Sequence, residues 1–273
     1  MTTEPVEPRR RFRRRRHRRP RSERRRAVFL IPNLITSASL MLGFWSMVQS
    51  IGGKYAYAAG AIIAAGICDM LDGRIARATH STSKFGVEYD SLADVISFGV
   101  APALLFYMWA LQPLGPRGWV FASLFVICAA LRLARFNVQQ NVEERVHYQG
   151  MPTTLAGGLV GAMLWFVEWL DLGAPLPRHA GIAVGCGFVT LALLMVSSVP
   201  YPSWKSIHVT GRQAFPTLVV TVLVVVLVLL YREPAFFAVG CGYLLSGPVL
   251  ALWLHWHPAP ARPAPATEHI EGG

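Results

Sequence analysis

Acidic residues are scarce in this chain, and its cysteines are few and isolated. The 273 residues include 15 Asp and Glu against 26 Lys and Arg, and only five of the acids are aspartate. The four cysteines are far apart and each lies inside an apolar run, so a secreted disulfide scaffold is excluded. The eight histidines lack the spacing of metal ligands, so a zinc site of histidine and cysteine is not expected.

Charge is also nearly absent outside one end of the chain. Residues 1–26 contain 13 arginines and three glutamates, so the rest is almost neutral although the whole chain has a net charge of +11. Hydrophobic residues make up 53% of the chain, and its mean hydropathy is +0.40. Apolar runs of about 20 residues recur, which is the length that crosses a bilayer. This composition excludes an ordinary soluble domain and predicts an all-α polytopic membrane protein.

Breaks at proline, glycine and charged residues divide the apolar sequence into eight predicted transmembrane helices. These spans are 31–51, 55–78, 89–111, 118–138, 152–172, 180–199, 214–231 and 235–256. The seventh run is rich in valine, yet its 18 residues without a charge favour a membrane helix over a strand. We expect a basic disordered tail over 1–30, a transmembrane domain over 31–257 and a disordered Pro/Ala-rich tail over 258–273.

Basic residues between the spans predict the orientation in the cell (inner) membrane. If the arginine tail is cytoplasmic, nine of the basic residues outside it lie on its side of the membrane and four lie on the other side. Because positive charge accumulates in cytoplasmic loops, both termini are expected on that side. The tail is expected to adhere to anionic lipid. RNA is an alternative partner for an arginine run, but no nucleic acid is predicted because a membrane span follows the tail directly.

One stretch of 26 residues in the predicted membrane sequence contains four of the five aspartates: Asp69, Asp72, Asp90 and Asp94. The first two are three residues apart and the last two are four apart, so each pair projects from one face of its helix. The connector 78–85 is short and polar, which predicts that the two helices are antiparallel neighbours. We therefore expect all four carboxylates at one level, near the cytoplasmic face of the membrane.

Four carboxylates in one membrane cavity require neutralisation, because a single intramembrane charge costs about 2.5 kcal/mol or more. Oxygen ligands without histidine or cysteine favour Mg²⁺ or Mn²⁺, and two such ions would balance four aspartates. Two ions that hold a diphosphate stabilise in-line displacement at phosphorus. The alternative from the same residues is a buried network in which the aspartates pair with Arg74 and Arg77.

The aspartates belong to a longer pattern, Asp69-x2-Asp72-Gly73-x2-Ala76-Arg77-x8-Gly86-x3-Asp90-x3-Asp94. This pattern resembles the full signature of the CDP-alcohol phosphotransferase family, with every fixed position occupied at the family's spacing. Four further stretches resemble the bacterial and archaeal branch of that family that uses serine as acceptor. They are IPNLIT at 31–36, LRLARFNV at 131–138, GMP at 150–152 and YPSWK at 201–205. The resemblance covers residues 31 to about 212.

The resemblance implies a membrane enzyme with a cytoplasmic active site in the domain 31–257. It implies transfer of the phosphatidyl group of CDP-diacylglycerol to the hydroxyl of L-serine, with release of CMP. Asp69, Asp72 and Asp90 would hold the metal ions. Asp94 would be the fourth carboxylate, either ligating an ion or accepting the proton of the serine hydroxyl, which is a weak nucleophile. A homodimer is implied as well.

Further candidate residues for binding the substrates surround this centre. They are Asn33, Thr36, Gly73, Ala76, Arg77, Gly86, Arg132, Arg135 and Lys205. The two glycines would allow close approach of the nucleotide because no Cβ intrudes, or they would only ease helix packing. The three cations beyond the signature would bind the diphosphate or the serine carboxylate, or would only set topology. Asn33 and Thr36 would contact cytidine or cap the first helix.

Two alternative functions use the same aspartates. The acceptor could be glycerol 3-phosphate, an inositol phosphate or choline, which would require extra cations or, for choline, an aromatic cage. A cation transporter would also use intramembrane carboxylates. Transporters usually contain two related halves, however, and the sequence has no second Asp-x2-Asp-Gly copy.

Overall fold

The computed structural model describes residues 21–79, 83–139, 147–171, 178–202, 219, 222–223, 226 and 230–256. Several predictions fall outside these residues. They concern the tail over 1–20, Lys205, most of the seventh span at 214–231 and the C-terminal segment 258–273.

Helices dominate the described residues. They are α1 (Arg21–Ile51), α2 (Tyr55–Ala78), α3 (Lys84–Asp94), α4 (Ala101–Phe106), α5 (Gly118–Gln139), α6 (Thr153–Trp169), α7 (Arg178–Val196) and α8 (Arg232–Trp256). Wider π-helical turns at Val95–Val100 and Tyr107–Leu111 continue α3 and α4 as one rod. A 3₁₀ turn at Gln112–Arg117, where Gly115 has a φ of 65°, then joins this rod to α5.

Four stretches of the described chain are long and apolar enough to cross a bilayer. They are Leu30–Ile51, Tyr55–Ala78, Lys84–Val138 and Arg232–Trp256, and Gly181–Val196 is a shorter apolar helix. The predicted all-helical membrane protein is confirmed, whereas the number of eight spans stays a prediction. The observed bounds of α2 agree with the predicted second span, 55–78. The observed start of α1 differs from the predicted start of the first span at residue 31. The helix begins at Arg21, inside the predicted tail 1–30, and its apolar part begins at Leu30.

Small residues bring the helices together, as expected where lipid provides no hydrophobic drive for helix association. On α1, Ser39 donates a hydrogen bond to the carbonyl of Ala65 in α2 at 3.1 Å. A Cβ on Gly43 would lie 2.7 Å from the Cα of Ser97, and one on Gly157 in α6 would lie 2.9 Å from the Cα of Phe98. The first π-helical turn is therefore packed closely between α1 and α6.

Stacked aromatic rings join α4, α5 and α7. Phe188 stacks on Phe106 at a centroid distance of 4.2 Å and on Phe125 at 4.4 Å. Phe106 is 12 residues beyond Asp94 along the rod, or about 18 Å of helix rise. The cluster therefore lies at the end of the bundle remote from the aspartates.

A short strand pair lies at the other end of the bundle. Strands β1 (His147–Gln149) and β2 (Pro200–Pro202) pair antiparallel. Gly150 follows β1 with a φ of 77°, and its amide donates to the carbonyl of Val199 at 2.9 Å. A side chain at Gly150 would overlap the carbonyl of Met195, so glycine is required both by the backbone and by the space. This turn holds the start of α6 against the end of α7.

Candidate metal centre

Three of the four signature aspartates converge. Asp69, Asp72 and Asp90 each offer one carboxylate oxygen, and these oxygens all lie within 4.8 Å of one another. The first two are one turn apart on α2, and Asp90 faces them from α3. Oxygens at this separation can share an ion, because two ligands on opposite sides of Mg²⁺ or Ca²⁺ are about 4 to 5 Å apart.

Asp94 lies one turn beyond Asp90 on α3, and its carboxyl group lies close to that of Asp69. The structure therefore brings together the two pairs that the spacing predicts on one face of each helix. The two helices are close in sequence, since α2 ends at Ala78 and α3 begins at Lys84.

Basic side chains do not neutralise these acids within the described part of the chain. The ion pair there joins Arg232 to Glu233 at 2.7 Å, remote in sequence from the signature. Arg77 is exposed, and its guanidinium lies beside Gly73 of the same helix, with Nη1 3.5 Å from the position of a Cβ there. The alternative of a buried aspartate–arginine network is therefore not what the described residues form. The chemistry of an all-carboxylate donor set fits divalent cations instead.

Two threonines contact the aspartates of α2. Thr36 Oγ1 on α1 donates to Asp72 Oδ2 at 2.7 Å, and Thr154 Oγ1 on α6 donates to Asp69 Oδ2 at 3.2 Å. Thr36 was a predicted site residue, whereas Thr154 was missed. Its contact spans 85 positions of sequence, and the available hint was its place two residues after the GMP stretch.

Polar contacts on both sides of Asp90 fix the rotation of α3. The hydroxyl groups of Tyr89 and Ser37 lie 2.8 Å apart and link α3 to α1. On the other flank, Asn137 Nδ2 in α5 donates to Ser91 Oγ at 2.9 Å. None of these four residues was predicted as part of the site. Because both neighbours of Asp90 are held by different helices, its carboxylate is kept facing α2.

The predicted nucleotide-binding residues occupy the same end of the bundle. Asn33 lies next to Gly86, because a Cβ there would be 3.3 Å from Asn33 Oδ1. Gly73, Ala76 and Arg77 follow Asp72 on α2. Helix α1 starts at Arg21, so the alternative that Asn33 and Thr36 cap this helix is wrong. Their assignment to nucleotide binding stays a prediction.

The two predicted arginines of α5 contact the start of α6 and the strand pair. Arg132 Nη1 donates to Thr153 Oγ1 at 2.9 Å. Arg135 Nη2 donates to Gln149 Oε1 at 2.6 Å, and its Nη1 donates to the carbonyl of Val196 at 3.3 Å. Thr153 immediately precedes Thr154. Two consecutive residues of α6 therefore contact Arg132 and Asp69. Lys205 lies outside the described residues.

An integral membrane fold with a carboxylate metal centre is typical of one class of lipid enzymes. Residues 29–199 match the CDP-alcohol phosphatidyltransferase family, which uses a divalent metal. The chain therefore belongs to this family, and the resemblance seen in its signature is confirmed.

Relatives include two proteins named CDP-diacylglycerol–serine O-phosphatidyltransferase. The one from Helicobacter pylori (strain J99) is 39% identical over 181 residues, covering 66% of this chain and 75% of that protein. The one from Bacillus subtilis (strain 168) is 31% identical over 175 residues, covering 64% and 91%. An archaetidylserine synthase from Methanothermobacter thermautotrophicus is 32% identical over 174 residues, covering 63% and 69%.

Proposed function

We propose that this protein transfers the phosphatidyl group of CDP-diacylglycerol to the hydroxyl group of L-serine and releases CMP. The observation that carries the proposal is the convergence of the Asp69, Asp72 and Asp90 carboxylates in a membrane-spanning chain. The similarity to two proteins named for this reaction, at 39% and 31% identity, supports serine as the acceptor.

The proposed centre holds two divalent ions, Mg²⁺ or Mn²⁺. Asp69, Asp72 and Asp90 are the proposed ligands, with Asp94 as the fourth carboxylate. When bound, such ions neutralise the diphosphate of the donor lipid and stabilise the departing CMP. The carboxylates lack basic partners among the described residues, which supports a site for cations of charge +2.

Asp94 is the proposed general base. It accepts the proton of the serine hydroxyl as the serine oxygen bonds to the phosphorus that carries the diacylglycerol group, while the bond from that phosphorus to the CMP oxygen breaks. A positioned carboxylate of this kind contributes about 10²- to 10⁴-fold to the rate. Its position one turn beyond Asp90 supports this role, because it is farthest along α3 from the proposed nucleotide.

The remaining candidate residues have proposed roles in orienting substrate. Arg132, Arg135 and Lys205 bind the serine carboxylate or the donor phosphates, since guanidinium groups suit bidentate contact with such anions. The contact from Arg132 to Thr153, next to Thr154, supports an acceptor site adjoining the ions. The residues proposed to receive the cytidine nucleotide are Asn33, Thr36, Gly73, Ala76, Arg77 and Gly86.

The proposed topology has eight spans, with both termini and the active site in the cytoplasm. Its elements are the basic tail 1–30, the catalytic domain 31–257 and the C-terminal tail 258–273. Lys84–Val138 extends over 55 residues, which supports two crossings by this stretch. A homodimer and adhesion of the basic tail to anionic lipid complete the proposal.

An acceptor panel tests the reaction. Purified protein in detergent micelles is incubated with CDP-diacylglycerol, Mn²⁺ or Mg²⁺ and one labelled acceptor at a time: L-serine, glycerol 3-phosphate, an inositol phosphate or choline. We expect labelled lipid and stoichiometric CMP with serine, and loss of both when the ions are chelated. Product from another acceptor without product from serine would contradict the acceptor. A transporter would release no CMP in any arm.

A further inference from the structure

Each aspartate of α2 is contacted by a threonine from a different neighbouring helix. Thr36 of α1 donates to Asp72, and Thr154 of α6 donates to Asp69. In both contacts the acceptor is the Oδ2 oxygen of the carboxylate. The two aspartates of α2 are therefore each held by a different neighbouring helix.

The contact at Asp72 is short and buried. Thr36 and Asp72 are each only 4% exposed, and the hydroxyl is 2.7 Å from the carboxylate. The same hydroxyl lies 3.1 Å from the carbonyl of Pro32. Hydrogen bonds to an ionised oxygen are shorter and roughly twice as strong as neutral ones, so the proton of Thr36 points to Asp72.

Threonine suits the task of holding a carboxylate. Its β-branched side chain has few χ1 rotamers in a helix, so the hydroxyl has a defined direction. Carboxylates that ligate a metal are commonly hydrogen-bonded in turn, and removal of such a partner typically lowers metal affinity or activity by about 10- to 100-fold.

We propose that Thr36 and Thr154 are positioning residues that fix one oxygen of Asp72 and of Asp69, so that the other oxygen of each faces the metal ions. This inference rests on the metal centre of the proposed function, and it is independent of the acceptor. It gives Thr36 a role in addition to its proposed contact with the cytidine nucleotide. It also gives α6, which carries no signature aspartate, a part in the centre.

Valine replaces threonine with little change of shape and removes the hydroxyl, so Thr36→Val and Thr154→Val are the test variants. Thr36→Ser and Thr154→Ser keep the hydroxyl. Thr190→Val is the matched control, because Thr190 is exposed on α7 and bonds to the carbonyl of Cys186 in its own helix. Mn²⁺ binding is measured without substrate, from the electron paramagnetic resonance of free Mn²⁺, and the Mn²⁺ concentration for half-maximal activity is measured separately.

We expect both valine variants to bind Mn²⁺ about 10- to 100-fold more weakly and to need correspondingly more Mn²⁺ for activity. The serine variants should stay within about threefold of the wild type, and Thr190→Val should match it. Valine variants that bind Mn²⁺ as the wild type does would overturn the inference, even if their turnover were lower.

If a valine variant does not fold, the cysteine variant takes its place with the same expectation, because a thiol is a weak donor. Failure of the wild-type protein to bind Mn²⁺ would overturn the metal centre itself.

Discussion

Side-chain hydrogen bonds occur at both ends of the bundle, as from Tyr55 to the carbonyl of Met108 at the end remote from the aspartates, but only the remote end has the stack of phenylalanine rings among the described residues. At the end that carries the aspartates, side-chain hydrogen bonds join neighbouring helices, as between Ser37 and Tyr89 and between Asn137 and Ser91. At the remote end, Phe106, Phe125 and Phe188 form a stack of rings without polar groups. Hydrogen bonds are directional whereas apolar packing is not, so the first end sets orientation and the second mainly contributes stability.

This comparison predicts that substitutions at the two ends have separable effects. Changes among the polar contacts should alter turnover or metal affinity more than stability. Changes in the aromatic cluster should do the reverse.

Asp94→Asn should have the largest effect. Asparagine has nearly the same shape but cannot accept the proton of the serine hydroxyl, so turnover should fall by at least about 10²- to 10⁴-fold. Initial rates of CMP release at saturating substrate measure this. Thermal unfolding and nucleotide binding should be retained in the variant. Undiminished turnover would remove Asp94 from its proposed role.

Phe188→Ala should destabilise the remote end. Phe188 is 3% exposed and packs between two rings, so truncation leaves a cavity that costs about 3 kcal/mol or more. Equilibrium unfolding in denaturing detergent measures the loss. The control is Phe44→Ala, because Phe44 is 62% exposed on α1. If Phe188→Ala changed the Mn²⁺ requirement instead of the stability, the two ends would not be separable.

Gly157→Ala should have an intermediate effect on both properties. Its new methyl group would lie 2.7 Å from the carbonyl oxygen and 2.9 Å from the Cα of Phe98, so α6 must move away from the rod. Overpacking of this kind costs about 1 to 3 kcal/mol. Unfolding and turnover are measured together. Adjacent Gly158 has no atom within 4 Å of such a methyl group, so Gly158→Ala should be nearly neutral. Equal effects of the two changes would contradict the observed packing.

Tyr89→Phe should have the smallest effect. It removes the contact with Ser37 and keeps the ring that stacks on Phe85 at 5.9 Å. A lost hydrogen bond is worth about 1 kcal/mol, so turnover should fall about fivefold while the unfolding transition stays nearly constant. Tyr57→Phe is the control, since Tyr57 is 65% exposed on α2. A change in stability with unchanged turnover would show that this contact does not orient Asp90.

The spacing of the sequence predicted the convergence of the aspartates, because spacing along a helix is local information. Residues three or four apart on a helix share a face, and a short polar connector makes two helices neighbours. Both conditions hold for the four aspartates. The bounds of α2 were predicted for a similar reason, since apolar length and flanking glycine are properties of one segment.

Contacts between distant segments could not be predicted in this way. Thr154 reaches Asp69 across 85 positions, and Asn137 reaches Ser91 across 46, because the packing of α5 and α6 brings them there. Periodicity does not reveal which of several similar hydroxyl groups faces a neighbour. The start of α1 at Arg21 was also missed, because a run of arginines has no apolar face that indicates a helix.

The π-helical turns that follow Asp94 give the rod a tolerance in length. A turn with i→i+5 bonding holds more residues than an α-helical turn. Loss of one residue within Val95–Val100 would therefore convert the wide turn to an ordinary one while the segments on either side keep their faces. The same deletion within α2 would rotate all that follows by about 100°. A single-residue deletion should therefore disturb the fold less in a π-helical turn than in an α-helix of this chain.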